Sequence, residues 1–181
     1  MPAETGADTP ALTIAKFDKA LHDRSAFSCG FGPIDNFLKS SLSDQIKAGM
    51  VAAWVATAGD DPAVLGFYTL GAMAVRSEVG PRQWKRAGVP DIPVIYIRVV
   101  AVRRDMQRKG LGTALVVDAM RRCLRIADQM GAAAILLDVL RDDHFERRWR
   151  FYEELGFQPL GDPRNPERVF IPMANVRATL A

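Results

Sequence analysis

The sequence predicts a single α/β domain in which a mixed central β-sheet is flanked by helices. Three observations carry that prediction. Apolar β-rich runs alternate with stretches whose apolar residues recur at helical spacing. The run IPVIYIRVVAV is apolar on both faces, as a strand in the middle of a sheet must be. The 181 residues suffice for one sizeable core and are too few for two comfortable ones. No repeat, low-complexity tract or long linker interrupts them.

Each element follows from local signals. Residues 1–11, MPAETGADTPA, carry neither a basic nor an apolar segment of the kind a signal peptide needs, and are expected to form a disordered lead before a domain spanning 12–181. GPIDNFLKSSLSDQIKAGM reads as an amphipathic helix: Pro33 suits its first turn, Ile34, Phe37, Leu38, Leu42 and Ile46 share a face, and Gly49 ends it. VAAWVAT and VLGFYTLGAMAV read as strands joined by a hairpin turn at GDDP. Arg76 to Pro93 is a connection with one helical turn around Trp84. The central strand IPVIYIRVVAV follows, then a charged loop, then a helix from about Leu111 to Met130 closed by Gly131. AAAILLDVL is a second buried strand, FERRWRFYEEL a helix stopped by Gly156, and RVFIPMANV a last strand.

Composition excludes several classes. No apolar run approaches the roughly 18–20 residues of a membrane span. Two cysteines, Cys29 and Cys123, and two histidines, His22 and His144, match no metal-ligand spacing, so no metal is expected. Cysteine usage this sparse suits the reducing cytoplasm. A net charge of +3 and a pI near 9.1 describe a mildly basic surface.

The chemistry concentrates in VAVRRDMQRKGLGTALVVDAM, Val100 to Met120. A loop that leaves a strand and opens a helix presents unpaired backbone N–H groups at the positive end of the helix dipole. Gly110 and Gly112 let that backbone turn tightly and approach a phosphate, and Arg103, Arg104, Arg108 and Lys109 add charge. The loop therefore favours a phosphate or diphosphate. A Walker loop would need Gly-Lys-Ser/Thr at its end, and a dinucleotide fingerprint a small residue where Leu115 stands. Neither fits. What remains is Gln/Arg-x-x-Gly-x-Gly/Ala, met by Gln107, Gly110 and Gly112.

That pattern, together with FYEELGF at Phe151 to Phe157, resembles the GNAT acetyltransferase superfamily, whose loop holds the diphosphate of coenzyme A. The resemblance implies a GNAT fold, acetyl-CoA as co-substrate, and coenzyme contacts from Gln107, Arg108, Lys109, Gly110, Leu111, Gly112 and Thr113. It implies that splayed backbone at Val100, Ala101 and Val102 pairs with the pantetheine arm and holds the thioester carbonyl. It makes Tyr152 the general acid that protonates the departing thiolate. Read from the residues alone, Tyr152 could equally be core. Cys123 sits among Met120, Leu124 and Ala127 and reads as a buried small hydrophobe, not a nucleophile.

FSCGFGPIDNFL, GFYTLGAMAV, IPVIYIRVVAV and FYEELGF further resemble the TacT-like acetyltransferase toxins of bacterial toxin–antitoxin pairs, from about residue 12 to the end. This implies aminoacyl-tRNA as acceptor, a ribbon-helix-helix antitoxin as partner, and a homodimer. An α-amino group titrates near 7.7–8, so no strong protein base is required, and Asp138, Glu146, Glu153 and Glu154 read as surface or strand-end acids. A polyanionic acceptor calls for a basic rim. Arg98, Arg103, Arg104, Arg108 and Lys109 form one candidate group. Arg141, Arg147, Arg148 and Arg150 form another, with Trp149 as a stacking surface or a core residue. Arg98 stands one place earlier than the arginine of those toxins, which by strict alternation turns it to the other sheet face. Two other readings stay open: an N-acetyltransferase for a small amine or protein N-terminus, and a non-catalytic acetyl-CoA-binding module.

Overall fold

A computed structural model describes residues 10–181; residues 1–9, most of the expected lead, lie outside the described residues. Ala11, placed in that lead, already engages the domain, its carbonyl accepting a hydrogen bond from the Gly59 amide at 3.0 Å. Seven strands among the described residues form one sheet in the order β1-β2-β3-β4-β5-β7-β6. They are β1 (Leu12–Lys16), β2 (Ala52–Ala58), β3 (Asp61–Arg76), β4 (Asp91–Val102), β5 (Ala134–Asp138), β6 (Gln158–Pro159) and β7 (Arg168–Pro172). Every neighbouring pair is antiparallel except β4 with β5. The mixed sheet flanked by helices is the expected fold.

The helix after Pro33 forms in three pieces, α1 (Gly32–Asn36), a π-turn over Phe37–Ser41, and α2 (Leu42–Lys47). The π-turn leaves Leu38 and Leu42 fully buried against Phe27, Val55 and Phe67. A short α3 (Arg82–Arg86) seats Trp84 on Phe170. α4 (Leu111–Met130) buries Leu111, Leu115, Val116, Ala119, Met120 and Cys123 along one face, each larger side chain contributing roughly 1.5–3 kcal/mol. Gly131 follows it at φ 73°, where a side chain would be strained. α5 (Phe145–Glu154) lies on the same face of the sheet as α4, its Tyr152 joining the same core.

Three parts of the sequence reading are corrected. β1 and β6 were not expected: β6 is only two residues long, and β1 is an edge strand with no buried residue to set an apolar pattern. RVFIPMANV is strand only to Pro172; Met173–Leu180 is a helix, α6, because Met173, Val176 and Leu180 share a face that packs into the α4 core. Finally, β4 is not a regular strand. Ile97 pairs with Leu70 and Val99 with Thr69, so Arg98 is an extra, bulged residue. The alternation on which the expected orientation of Arg98 rests is interrupted at that residue.

Candidate active site

β4 and β5 pair only from Val94 to Tyr96 and from Ala134 to Leu136. Beyond that, β4 bends at the Arg98 bulge and the strands part. The gap is a cavity of about 730 Å³ lined by Ile97–Val102 of β4 and by Leu137–Asp142, the end of β5 and the segment after it. Gly112, Arg148, Phe151 and Tyr152 line it from the α4 and α5 layer, and Cys29, Gly30, Phe31 and Ile34 from the α1 layer. It therefore runs through the sheet from one face to the other.

The parted edge of β4 carries free backbone groups. The Arg103 amide donates to the Leu65 carbonyl at 2.8 Å, which fixes the alternation: Ala101, opposite Phe67, points its amide at β3, while Val100 and Val102 point theirs into the gap. The Val102 carbonyl confirms the direction, since it accepts from Gln107 Nε2 at 2.9 Å on that side. Of the three residues expected to serve a pantetheine arm, Val100 and Val102 offer donors there. The Ala101 amide faces the ladder, and its side chain packs against the Phe27 core.

The glycine loop sits at one mouth of the cavity. Gly110, at φ 85°, precedes the first turn of α4, whose first backbone bond runs from Ala114 to the Gly110 carbonyl. Among the described residues, the amides of Arg108, Lys109, Gly110, Leu111, Gly112 and Thr113 donate to no protein acceptor. Six open donors at the positive end of a 20-residue helix form an anion cradle. Arg108 also has positive φ, 59°, a left-handed conformation that costs a non-glycine residue roughly 1–2 kcal/mol. Strain of that kind persists where surrounding structure enforces it. The motif identifies the glycines but hides this residue.

Gln107, expected among the coenzyme contacts, turns inward. Its side-chain amide donates to the carbonyls of both Cys29 and Val102 at 2.9 Å, stitching the Ser28–Phe31 segment to the end of β4. Arg104 completes that stitch: its amide donates to the Ser28 carbonyl at 2.8 Å, and its guanidinium lies over Gly30 so closely that a Cβ there would meet Nη2 at 2.8 Å.

Tyr152 is 9% exposed and faces the cavity. Its hydroxyl has no hydrogen-bond partner among the described residues. Burial pushes its phenol up to about 12, partly opposed by the Arg148 guanidinium. It thus stays protonated across physiological pH, as a proton donor must. Arg148 is itself held by the Leu140 carbonyl and the Asp142 carboxylate. Cys123 is fully buried and its thiol is pushed up to about 12 by desolvation, which removes it as a nucleophile. Cys29, also raised, to about 11, first by burial and then by its bond with Asp35, is no better.

The basic residues divide. Arg98 lines the cavity and donates to Gln45 of α2 at 2.8 Å. Arg103 is turned away, bidentate on Asp105 at 2.6 and 2.8 Å. Arg104, Arg108, Arg141, Arg147 and Arg148 line the cavity. Trp149 is half-buried against Phe145, its indole N–H donating to Glu153 at 3.0 Å; it belongs to the core side of α5. Missing from the sequence reading are Tyr96, which also lines the gap, and the setting of Asp138, dismissed as a strand-end acid and in fact clamped by Arg168 from 30 residues away.

A split sheet with an anion cradle at its mouth and a buried phenol inside defines an enzyme that draws a diphosphate-bearing carrier between two strands. The chain belongs to the acetyltransferase (GNAT) family, whose model matches residues 45–157. It is 36% identical over 98% of its length to a probable toxin TacT of Sinorhizobium fredii, covering 99% of that protein. It is 33% identical to a tRNA-acetylating toxin of Mycobacterium tuberculosis, over 87% of this chain and 90% of that one. Among solved structures it superposes on AtaT complexed with acetyl-methionyl-tRNAfMet with a TM-score of 0.84 at 26% identity, covering 94% of this chain and all of that one.

Proposed function

We propose that this enzyme transfers an acetyl group from acetyl-CoA to the α-amino group of an aminoacyl-tRNA and so acts as the toxin of a toxin–antitoxin pair. The observation that carries this reading is the through-sheet cavity, with the open amides of Arg108–Thr113 at one mouth and a protonated Tyr152 within. The loop amides take the coenzyme diphosphate. Val100 and Val102 amides take the pantetheine and the thioester carbonyl, stabilising the oxyanion. The acceptor amine attacks the carbonyl carbon as free base; the C–N bond forms and the C–S bond breaks. Tyr152 gives its proton to the sulfur, and the surplus proton on nitrogen returns through solvent to Tyr152.

The acceptor enters from the α1 face, where Arg98 and Arg104 meet a polyanion. Kinship with tRNA-acetylating toxins supports this acceptor. It also supports a small ribbon-helix-helix antitoxin as partner, a homodimer, and action in the cytoplasm. The test is growth after induction. Wild type arrests growth and N-acetylates the cell's aminoacyl-tRNA, seen by mass spectrometry. Tyr152→Phe, which removes a hydroxyl without a partner, folds normally, binds acetyl-CoA and lowers kcat by about a hundredfold or more. Harmless induction with turnover of a small amine instead would refute the acceptor; unchanged kcat would refute the role of Tyr152.

A further inference from the structure

A three-residue cluster lies where β4 and β5 separate. Tyr96 on β4 stands opposite Leu136, and Asp138 is two residues further along β5. Both line the same cavity as Tyr152. Tyr96 packs with the Trp84 and Phe170 core, on the face away from α4, and Asp138 shares that face because Leu137 beside it points to α4. Donor-side and acceptor-side groups thus sit on opposite layers of one gap.

The hydrogen bonds of the cluster are directional. The Tyr96 hydroxyl donates to Asp138 Oδ2 at 2.9 Å. Arg168, opposite Asp138 on β7, grips both carboxylate oxygens, Nε on Oδ1 at 2.7 Å and Nη2 on Oδ2 at 2.8 Å. Such a two-pronged pair is strong and fixes the carboxylate plane. A phenol has one proton and two lone pairs. With its proton committed to Asp138, Tyr96 Oη can only accept. Burial, and then the charge of Asp138, push this phenol up to about 12, so it does not ionise in the working range.

An attacking amine needs the complement of that oxygen. Its N–H groups must be held while its lone pair stays free and aimed at the carbonyl carbon. A hydroxyl free to rotate could instead donate to the lone pair and quench the nucleophile. We propose that Tyr96 Oη receives an N–H of the acceptor amino group, with Asp138 and Arg168 as positioning residues that lock its proton away from the amine. The inference rests on the reading above that the acceptor is an aminoacyl-tRNA. Tyr96 acts on the acceptor, and Tyr152 on the leaving sulfur.

The test is steady-state transfer of radiolabelled acetyl from acetyl-CoA to total bacterial tRNA charged with all amino acids, using the full chain. Tyr96→Phe lowers kcat/KM for charged tRNA about tenfold, the value of one hydrogen bond, leaves KM for acetyl-CoA unchanged, and lowers the melting temperature by a few degrees at most through loss of the bond to Asp138. Asp138→Asn lowers kcat/KM comparably, and the Tyr96→Phe/Asp138→Asn double variant loses no more than either single one, because Asp138 works through Tyr96. A Tyr96→Phe rate within twofold of wild type overturns the proposal. So does a full additional loss from Asp138→Asn in the Tyr96→Phe background. Should Tyr96→Phe not fold, Asp138→Asn and Arg168→Gln decide on the same acceptor-specific loss, and its absence overturns the proposal. A wild type that acetylates no charged tRNA sinks the functional reading and this inference with it, whereas an active wild type with unaffected variants sinks this inference alone.

Discussion

Gly112→Leu separates what the protein needs from what its coenzyme needs. Gly112 is the second residue of α4 and has no positive φ; a Cβ there would meet only Val102 Cγ2 at 3.9 Å and Phe151 Cζ at 4.0 Å. Those are ordinary contacts, and the cavity beyond them leaves room for a longer side chain. Replacing glycine within a helix gains up to about 1 kcal/mol, which for a chain of this size raises Tm by about 2–4 °C. A leucine side chain, longer than the alanine that the motif's last position also admits, extends from there into the gap beside the open amides. Phosphate oxygens must come within about 2.9 Å of those nitrogens to bond well, and a branched four-carbon side chain holds them off. Losing one charge-assisted hydrogen bond costs about 1.5–3 kcal/mol, or about ten- to a hundredfold in Kd. Thermal melting of the free protein and calorimetric titration with acetyl-CoA read the two effects independently. A variant that melts higher and binds more weakly is the expected result. Unchanged affinity would mean that the diphosphate lies elsewhere, and the anion-cradle reasoning would fail.

Gln107→Ala deprives two carbonyls of their shared donor and costs about 1–3 kcal/mol; its Tm falls by several degrees, while Gln107→Glu, unable to donate, falls comparably. The pH profile of kcat/KM rises through the pKa of the acceptor amine, at or below about 8, and shows no alkaline fall before pH 10, because the Tyr152 phenol is raised to about 12. A descending limb centred near pH 9 would remove Tyr152 as the acid. Stability follows the same groups with a definite sign: Tyr152 and Tyr96 are raised to about 12 in the fold against about 10 unfolded. The folded state therefore holds more protons, and stability is full below pH 10 and declines from pH 10 to 12. Denaturant titrations across that window check it, and a flat profile would contradict the burial.

Local signals were legible and distant ones were not. The bounds of α4, Leu111 to Met130, follow from apolar spacing and a following glycine, and Gly156 at φ 94° likewise stops α5 where its residue type demands. The loop of open amides was legible because consecutive residues build it. Gln107 belongs to the motif, yet where its side chain points depends on Cys29, 78 residues away. The Asp138–Arg168 clamp is likewise a cross-strand event with no local mark, so Asp138 read as an ordinary acid. The Arg98 bulge is invisible in a run apolar on both faces, where slipping by one residue leaves the pattern intact. Met173–Val176 was read as strand because a short apolar stretch after Pro172 suits either state.

The gap between β4 and β5 has two entrances, one in each helical layer. Under the proposed function, carrier and recipient meet end to end inside it, and neither blocks the other's route in or out. Only the tip of the recipient has to fit. Its bulk can stay outside at any size, so the geometry sets no upper limit on the molecule that carries the amine.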